Sequence, residues 1–202
     1  MTRKHKVQRE SAWSADTAFF EPDSIEVLDA AGRPLLIMSI ENAVQQALSH
    51  KGVVVALQNR EGKIYVRRSM QARAHHSGLW DISGMGRVLV GESREDAALR
   101  ILSKELGIAH AQLGLLARES SSSLGGNMEI SLYRTAPGSF FPDAHGFFAD
   151  REELEALMRD MAELATPALL WAASRLFCPS GSAPIPADSS TSGNIYAMPR
   201  KR

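Results

Sequence analysis

Residues 93–107 read as one helix whose start, end and buried face can each be assigned, and that helix constrains the rest of the chain. Ser93 is a good N-cap, and Asp96 three residues later makes the start close to a capping box. Gly107 stands where a left-handed C-cap is expected. Between them Ala97, Ala98, Ile101, Leu102 and Leu106 form a wide apolar face. A helix with so broad a face has to be buried against something, and the flanking segments offer mainly strands.

Those segments alternate. Residues 25–28 and 35–38, joined by a turn holding Gly32 and Pro34, predict a β-hairpin. Ser39 caps a helix predicted over 40–49, with Glu41 in its first turn. The β-branched run 53–57 predicts a buried strand, and a turn at 59–63 leads into 64–67 as a second hairpin. Residues 68–87 read as a long segment rich in small residues around Trp80. Residues 113–119 and 128–134 predict two more strands, followed by helices over 151–164 and 167–177, the latter with Thr166 as cap and Pro167 at its first position. The fold class is therefore α/β, a mixed β-sheet sandwiched between helices. The expected organisation is a flexible segment at 1–22, one domain at 23–178 and a disordered tail at 179–202, Ser/Pro/Gly-rich with a basic end at Pro199, Arg200, Lys201 and Arg202.

Composition narrows the function classes. With 44% hydrophobic residues the chain can bury a core, and with 23 basic against 23 acidic residues it has no net field to attract nucleic acid or an anionic membrane. No apolar run approaches the ~20 residues that span a bilayer, and the basic start has no apolar run behind it, so a cytoplasmic protein without nucleic-acid or membrane partners is expected. The single cysteine, Cys178, has no disulfide partner, and no Cys/His spacing matches a zinc site.

Gly86, Glu92, Arg100, Leu102, Glu105, Gly107 and Ile108 stand at the spacing of the Nudix signature, and over residues 24–177 the chain resembles that superfamily. The resemblance implies a Nudix fold and an enzyme that hydrolyses a diphosphate linkage with Mg²⁺ or Mn²⁺. In the family, carboxylates at the positions of 101, 104 and 105 converge on one side of the helix to hold the metal. Here Ile101 and Lys104 replace two of them and Glu105 is left. The residues matching catalytic positions are Glu105, Glu92 and Arg100; Glu92 commonly shapes the loop, and Arg100 pairs with a carboxylate.

The run from Trp80 to Ser93, with Glu95, Asp96 and Ala97, is similar to isopentenyl-diphosphate isomerase and related bacterial Nudix proteins. That likeness implies His50 and Glu129 as metal ligands beside Glu105. Other isomerase positions depart: Met85 stands at the catalytic cysteine, Arg87 and Ala43 at histidine ligands, and Asn127 at a glutamate ligand. Arg67, Arg68 and Arg73 fall where related proteins place phosphate-contacting residues, and guanidinium groups suit bidentate phosphate contacts; solvated arginines at a strand end are the plainer reading. His145, at the position of a late glutamate, is either a base or a surface-loop histidine, and the adjacent His75 and His76 lack a third ligand.

Three functions follow: a divergent hydrolase of a nucleoside or other diphosphate, a catalytically inactive domain that binds a phosphorylated ligand or protein partner, and an isomerase. The partner expected is a small phosphorylated molecule, and a homodimer is compatible with the chain.

Overall fold

The computed structural model describes residues 23–69, 78–122, 124, 127–140 and 145–177. The expectations for Arg73, His75, His76, Cys178 and both tails lie outside these residues.

Strands β1 (Ser24–Leu28) and β2 (Pro34–Ser39) form the first hairpin. The Asp29 carboxylate closes its turn by accepting from the backbone N–H of Ala31 and of Arg33, each at 2.9 Å. Ser39 Oγ then accepts from Asn42 N and caps α1 (Ile40–Gln45). This helix is shorter than the predicted 40–49. Ala47 takes a left-handed φ of 51°, and the N–H groups of Ala47 and Leu48 turn back onto Val44 and Ala43. The chain is thereby free to enter β3 (His50–Ala56).

The second expected hairpin is corrected by the structure. The turn at 59–63 forms, but β3 and β4 (Ile64–Arg68) part into different sheets, touching only at an isolated Gln58–Ile64 bridge and a Tyr65 N–H donated to the Leu57 carbonyl. The cause is Ser83. Its hydroxyl accepts from Leu57 N at 2.9 Å and donates to the Tyr65 carbonyl at 2.7 Å, so it occupies the place of further β3–β4 ladder bonds. Ser83 is also where the chain itself changes sheet. Before it β5 (Trp80–Ile82) pairs with β4, and after it β6 (Gly84–Arg87) pairs with β3. Both short strands lie in the long 68–87 segment, where the three residues of β5 and the glycines of β6 carry little strand signal.

Helix α2 (Arg94–Leu106) has the caps expected of it: Ser93 Oγ accepts from Asp96 N at 3.0 Å, and Gly107 is left-handed. The capping box is not completed, since Ser93 Oγ donates to the Asp96 carboxylate instead. Next come β7 (Leu113–Ser121), β8 (Met128–Thr135), an unanticipated β9 (Gly146–Ala149), α3 (Arg151–Asp160), a short 3-10 turn (Ala162–Leu164) and α4 (Pro167–Leu176) under its Thr166 cap.

One sheet runs β2-β1-β3-β8-β7 with β6 on β3, and the other runs β5-β4-β9. Strands β3 and β8 are parallel, and the other pairs are antiparallel. The mixed sheet has two packed faces, as period-2 alternation dictates. Val53, Val55 and Tyr133 bury against α2 through Ala97, Ala98, Ile101 and Leu102. Val54, Ala56, Met128, Ile130 and Leu132 face the other way, onto the second sheet and α4. Among the described residues no helix is long and apolar enough to cross a membrane.

Candidate active site

The site is built where α2 crosses β6. Both strand residues that face the helix are glycines, and Ile101 uses the space they leave. A Cβ on Gly84 would stand 2.7 Å from Ile101 Cγ2, and one on Gly86 would stand 2.6 Å from Ile101 Cδ1. Ile101 is 4% exposed and belongs to the Val53–Val55–Leu102 core. The side chain at this position is therefore a packing element, held between two bare strand residues.

Glu92 and Glu105, the acidic residues of the segment that stand at signature positions, are each held by an arginine. Glu92 and Arg100 form a bidentate pair, Arg100 Nε and Nη2 donating at 2.7 and 2.9 Å. Glu92 also accepts from Leu89 N at 3.0 Å, and Arg100 also donates to the Arg87 carbonyl at 2.8 Å. Together these bonds tie the loop between β6 and α2 to the helix. The Glu92 hydrogen bonds hold the Arg100 guanidinium above its ordinary pKa. Glu105, at the far end of α2, meets Arg67 of β4: Arg67 Nη2 donates to its carboxylate at 2.8 Å and Nη1 to its carbonyl at 3.1 Å. That ion pair joins the second sheet to the helix.

Glu129 lies at the other end of α2. On β8 it is paired in register with Lys51, and its carboxylate accepts from Arg94 Nη2 at 2.7 Å. Arg94 and Glu105 are separated by eleven positions of one helix, about 16 Å along its axis. His50 is fully buried and pairs in register with Met128, so it points to the opposite sheet face from Glu129. Its Nδ1–H donates to the Leu48 carbonyl at 2.8 Å, and Nε2 accepts from Arg87 Nε at 3.2 Å. Burial, and secondarily the Arg87 charge, hold His50 below the usual histidine pKa against the opposing Leu48 bond, so the ring is neutral.

The NUDIX domain model matches residues 48–176, which include β3 through α4. The chain belongs to the Nudix family. An uncharacterized Nudix hydrolase of Pseudomonas aeruginosa is 32% identical over 99 residues, spanning 49% of this chain and 59% of that relative's length. A crystal structure from Deinococcus radiodurans superposes with a TM-score of 0.62 at 20% identity, covering 76% of this chain and 99% of that one; it is similar in fold.

Nudix hydrolases generally use divalent metals, and the residues present here do not fit one. The ligands expected from sequence, Glu105, Glu129 and His50, are dispersed to two ends of α2 and two faces of the sheet, and each already holds an arginine. Among the described residues no three His, Cys, Asp or Glu side chains come together as a metal site. Of the expected phosphate contacts, Arg67 is engaged with Glu105. Arg68 lies over the Trp80 ring, 4.1 Å from its centroid, and donates to the Gly78 carbonyl. His145 directly precedes β9, and its carbonyl accepts from Arg68 N at 2.9 Å. Met85 packs against the Met128 and Ile130 core. Arg94 as the partner of Glu129 has no signal in the sequence, where the two stand 35 positions apart (129 − 94). Nor does the sequence signal Arg87 as the partner of His50, since the two stand 37 positions apart on strands whose pairing only the fold reveals.

Proposed function

We propose that this Nudix domain recognises a small molecule carrying a diphosphate or phosphate group, and that it does so without the metal-dependent hydrolysis of its family. The observation that carries this reading is the placement of Ile101 and Glu105: one is packed into the core between Gly84 and Gly86, and the other is spent on Arg67. A box in which Glu92 and Glu105 both serve arginines is an architectural element, one that fixes the loop after β6 and docks the second sheet on the helix. The phosphorylated class of ligand follows from family membership and from the arginines gathered about β4 and β6.

A second reading, a divergent hydrolase of a nucleoside or other diphosphate using Mg²⁺ or Mn²⁺, is favoured by Glu105 keeping its box position and staying partly open to solvent. The isomerase reading has less support, because the Met85 thioether has no acidic proton to give.

The test is a panel of nucleoside and sugar diphosphates offered to the full chain with and without Mg²⁺. A raised melting temperature without phosphate release supports the binding reading, since a ligand of the native state must stabilise it. Metal-dependent phosphate release that Glu105→Gln abolishes would replace it with the hydrolase. A silent panel in both assays would sink both.

A further inference from the structure

The partly buried arginines of this site have carboxylate partners, with one exception. Arg67 has Glu105, Arg94 has Glu129 and Arg100 has Glu92. Arg87 has no ion pair among the described residues, and burial alone holds its guanidinium below the ordinary pKa. Its one protein acceptor among the described residues is His50 Nε2, at 3.2 Å. The tautomer of His50 makes that bond directional: with Nδ1–H committed to the Leu48 carbonyl, Nε2 can only accept.

The backbone is shaped for this arrangement. Arg87 of β6 pairs in register with Gly52 of β3, and His50 lies two residues from Gly52 on the same face. A Cβ on Gly52 would stand 2.9 Å from Met128 Sδ, so the bare glycine is what lets Met128 lie across the strand here. Arg87 is thus set on an apolar surface, fixed through Nε, with its two Nη groups given no protein acceptor among the described residues. Desolvating a guanidinium without a counter-charge is unfavourable. A planar pair of Nη groups matches the oxygens of a tetrahedral oxyanion.

We propose that Arg87, positioned by His50, binds a phosphoryl group of this protein's ligand on the sheet face opposite α2. The assignment rests on the reading above that the ligand is phosphorylated, and it moves the point of phosphate contact from the box helix and Arg67 to the other side of the mixed sheet. Arg87 makes the contact. His50 acts through it, by holding the guanidinium plane.

The experiment is a titration of the isotopically labelled full chain with pyrophosphate, inorganic phosphate and acetate, followed by the NMR signals of Arg87 Nε–Hε and the His50 ring nitrogens. Both signals should move saturably with pyrophosphate and with phosphate and stay still with acetate. By calorimetry Arg87→Met should weaken pyrophosphate binding at least tenfold, with Arg87→Lys in between. Arg67→Met should leave most of the affinity. If pyrophosphate binds but the Arg87 and His50 signals do not move, or if Arg87→Met binds as the wild type does, the site is elsewhere and only this assignment falls. Equal shifts with acetate would make it a general anion site and overturn the phosphoryl assignment. If neither pyrophosphate nor phosphate binds the wild-type protein, while organic diphosphates from the panel still do, the Arg87 site again falls alone. If none of these compounds binds, the proposed function falls with it.

Discussion

Restoring the family carboxylate by Ile101→Glu should damage the protein and leave it unable to hold a metal ion. Ile101 is 4% exposed, and its methyl groups fill the space above Gly84 and Gly86. Removing a buried isoleucine from such a site costs about 2–5 kcal/mol through lost burial and imperfect refilling. The new carboxyl would stand among Val53, Val55, Leu102 and Tyr133, none of which offers a charge to pair with it. A buried acid in that position stays protonated, with its pKa raised. Together these effects predict a loss of about 3–5 kcal/mol near neutral pH, equivalent to roughly 10–15 °C in melting temperature for a domain of this size. The pH dependence has a definite sign. A raised folded-state pKa means the native state binds more protons than the unfolded chain, so the deficit relative to wild type should widen as pH rises above the ordinary glutamate pKa. Ile101→Val, which keeps the shape, should cost only about 0.5–1.5 kcal/mol. Thermal denaturation across a pH series measures all three. An Ile101→Glu variant as stable as wild type, with Mg²⁺-dependent activity gained, would show that this side chain can turn to solvent and refute the packing argument.

Other consequences follow from the same contacts. Gly86→Ala should destabilise by about 1–3 kcal/mol through overpacking against Ile101, and the Ile101→Val background should recover part of that loss, a coupling that a double-mutant cycle by urea denaturation reads directly. Ser83→Ala strips the hydrogen-bond partner from Leu57 N and from the Tyr65 carbonyl, and should cost about 1–3 kcal/mol in the same assay. His50 has a folded pKa below its unfolded value of 6.5, so the stability it contributes is present above that pH and is lost as pH falls toward the folded pKa; His50→Gln should flatten the acid side of a stability profile. Met85→Cys should gain no isomerase turnover, since the site lacks the ligand set that chemistry uses.

Features that depend on neighbouring residues were legible in the sequence. The caps at Ser39, Ser93, Gly107 and Thr166 all form, because a cap is decided by side chains within three or four positions. The wide apolar face of α2 is the face that packs. What the sequence obscured depends on distant pairing. Strands β5, β6 and β9 are short and draw their hydrogen bonds from β4 and β3, while the early end of α1 depends on a single left-handed alanine. The site shows the same division. The family signature implied a loop-shaping Glu92 and an Arg100 paired with some carboxylate, and the structure pairs these two with each other over eight positions. The pairing of Arg67 with Glu105 and of Arg94 with Glu129 brings together residues 38 and 35 positions apart (105 − 67 and 129 − 94), and only the folded chain shows that arginines occupy the acids a metal would need.

The most direct test of this account is a Mn²⁺ titration of the wild-type full chain, followed by electron paramagnetic resonance of the free ion. The arginine-held carboxylates predict no saturable binding through the millimolar range. Stoichiometric binding that Glu105→Gln removes would show that Arg67 yields its partner to a metal, and would contradict the claim that the box of this protein is architectural.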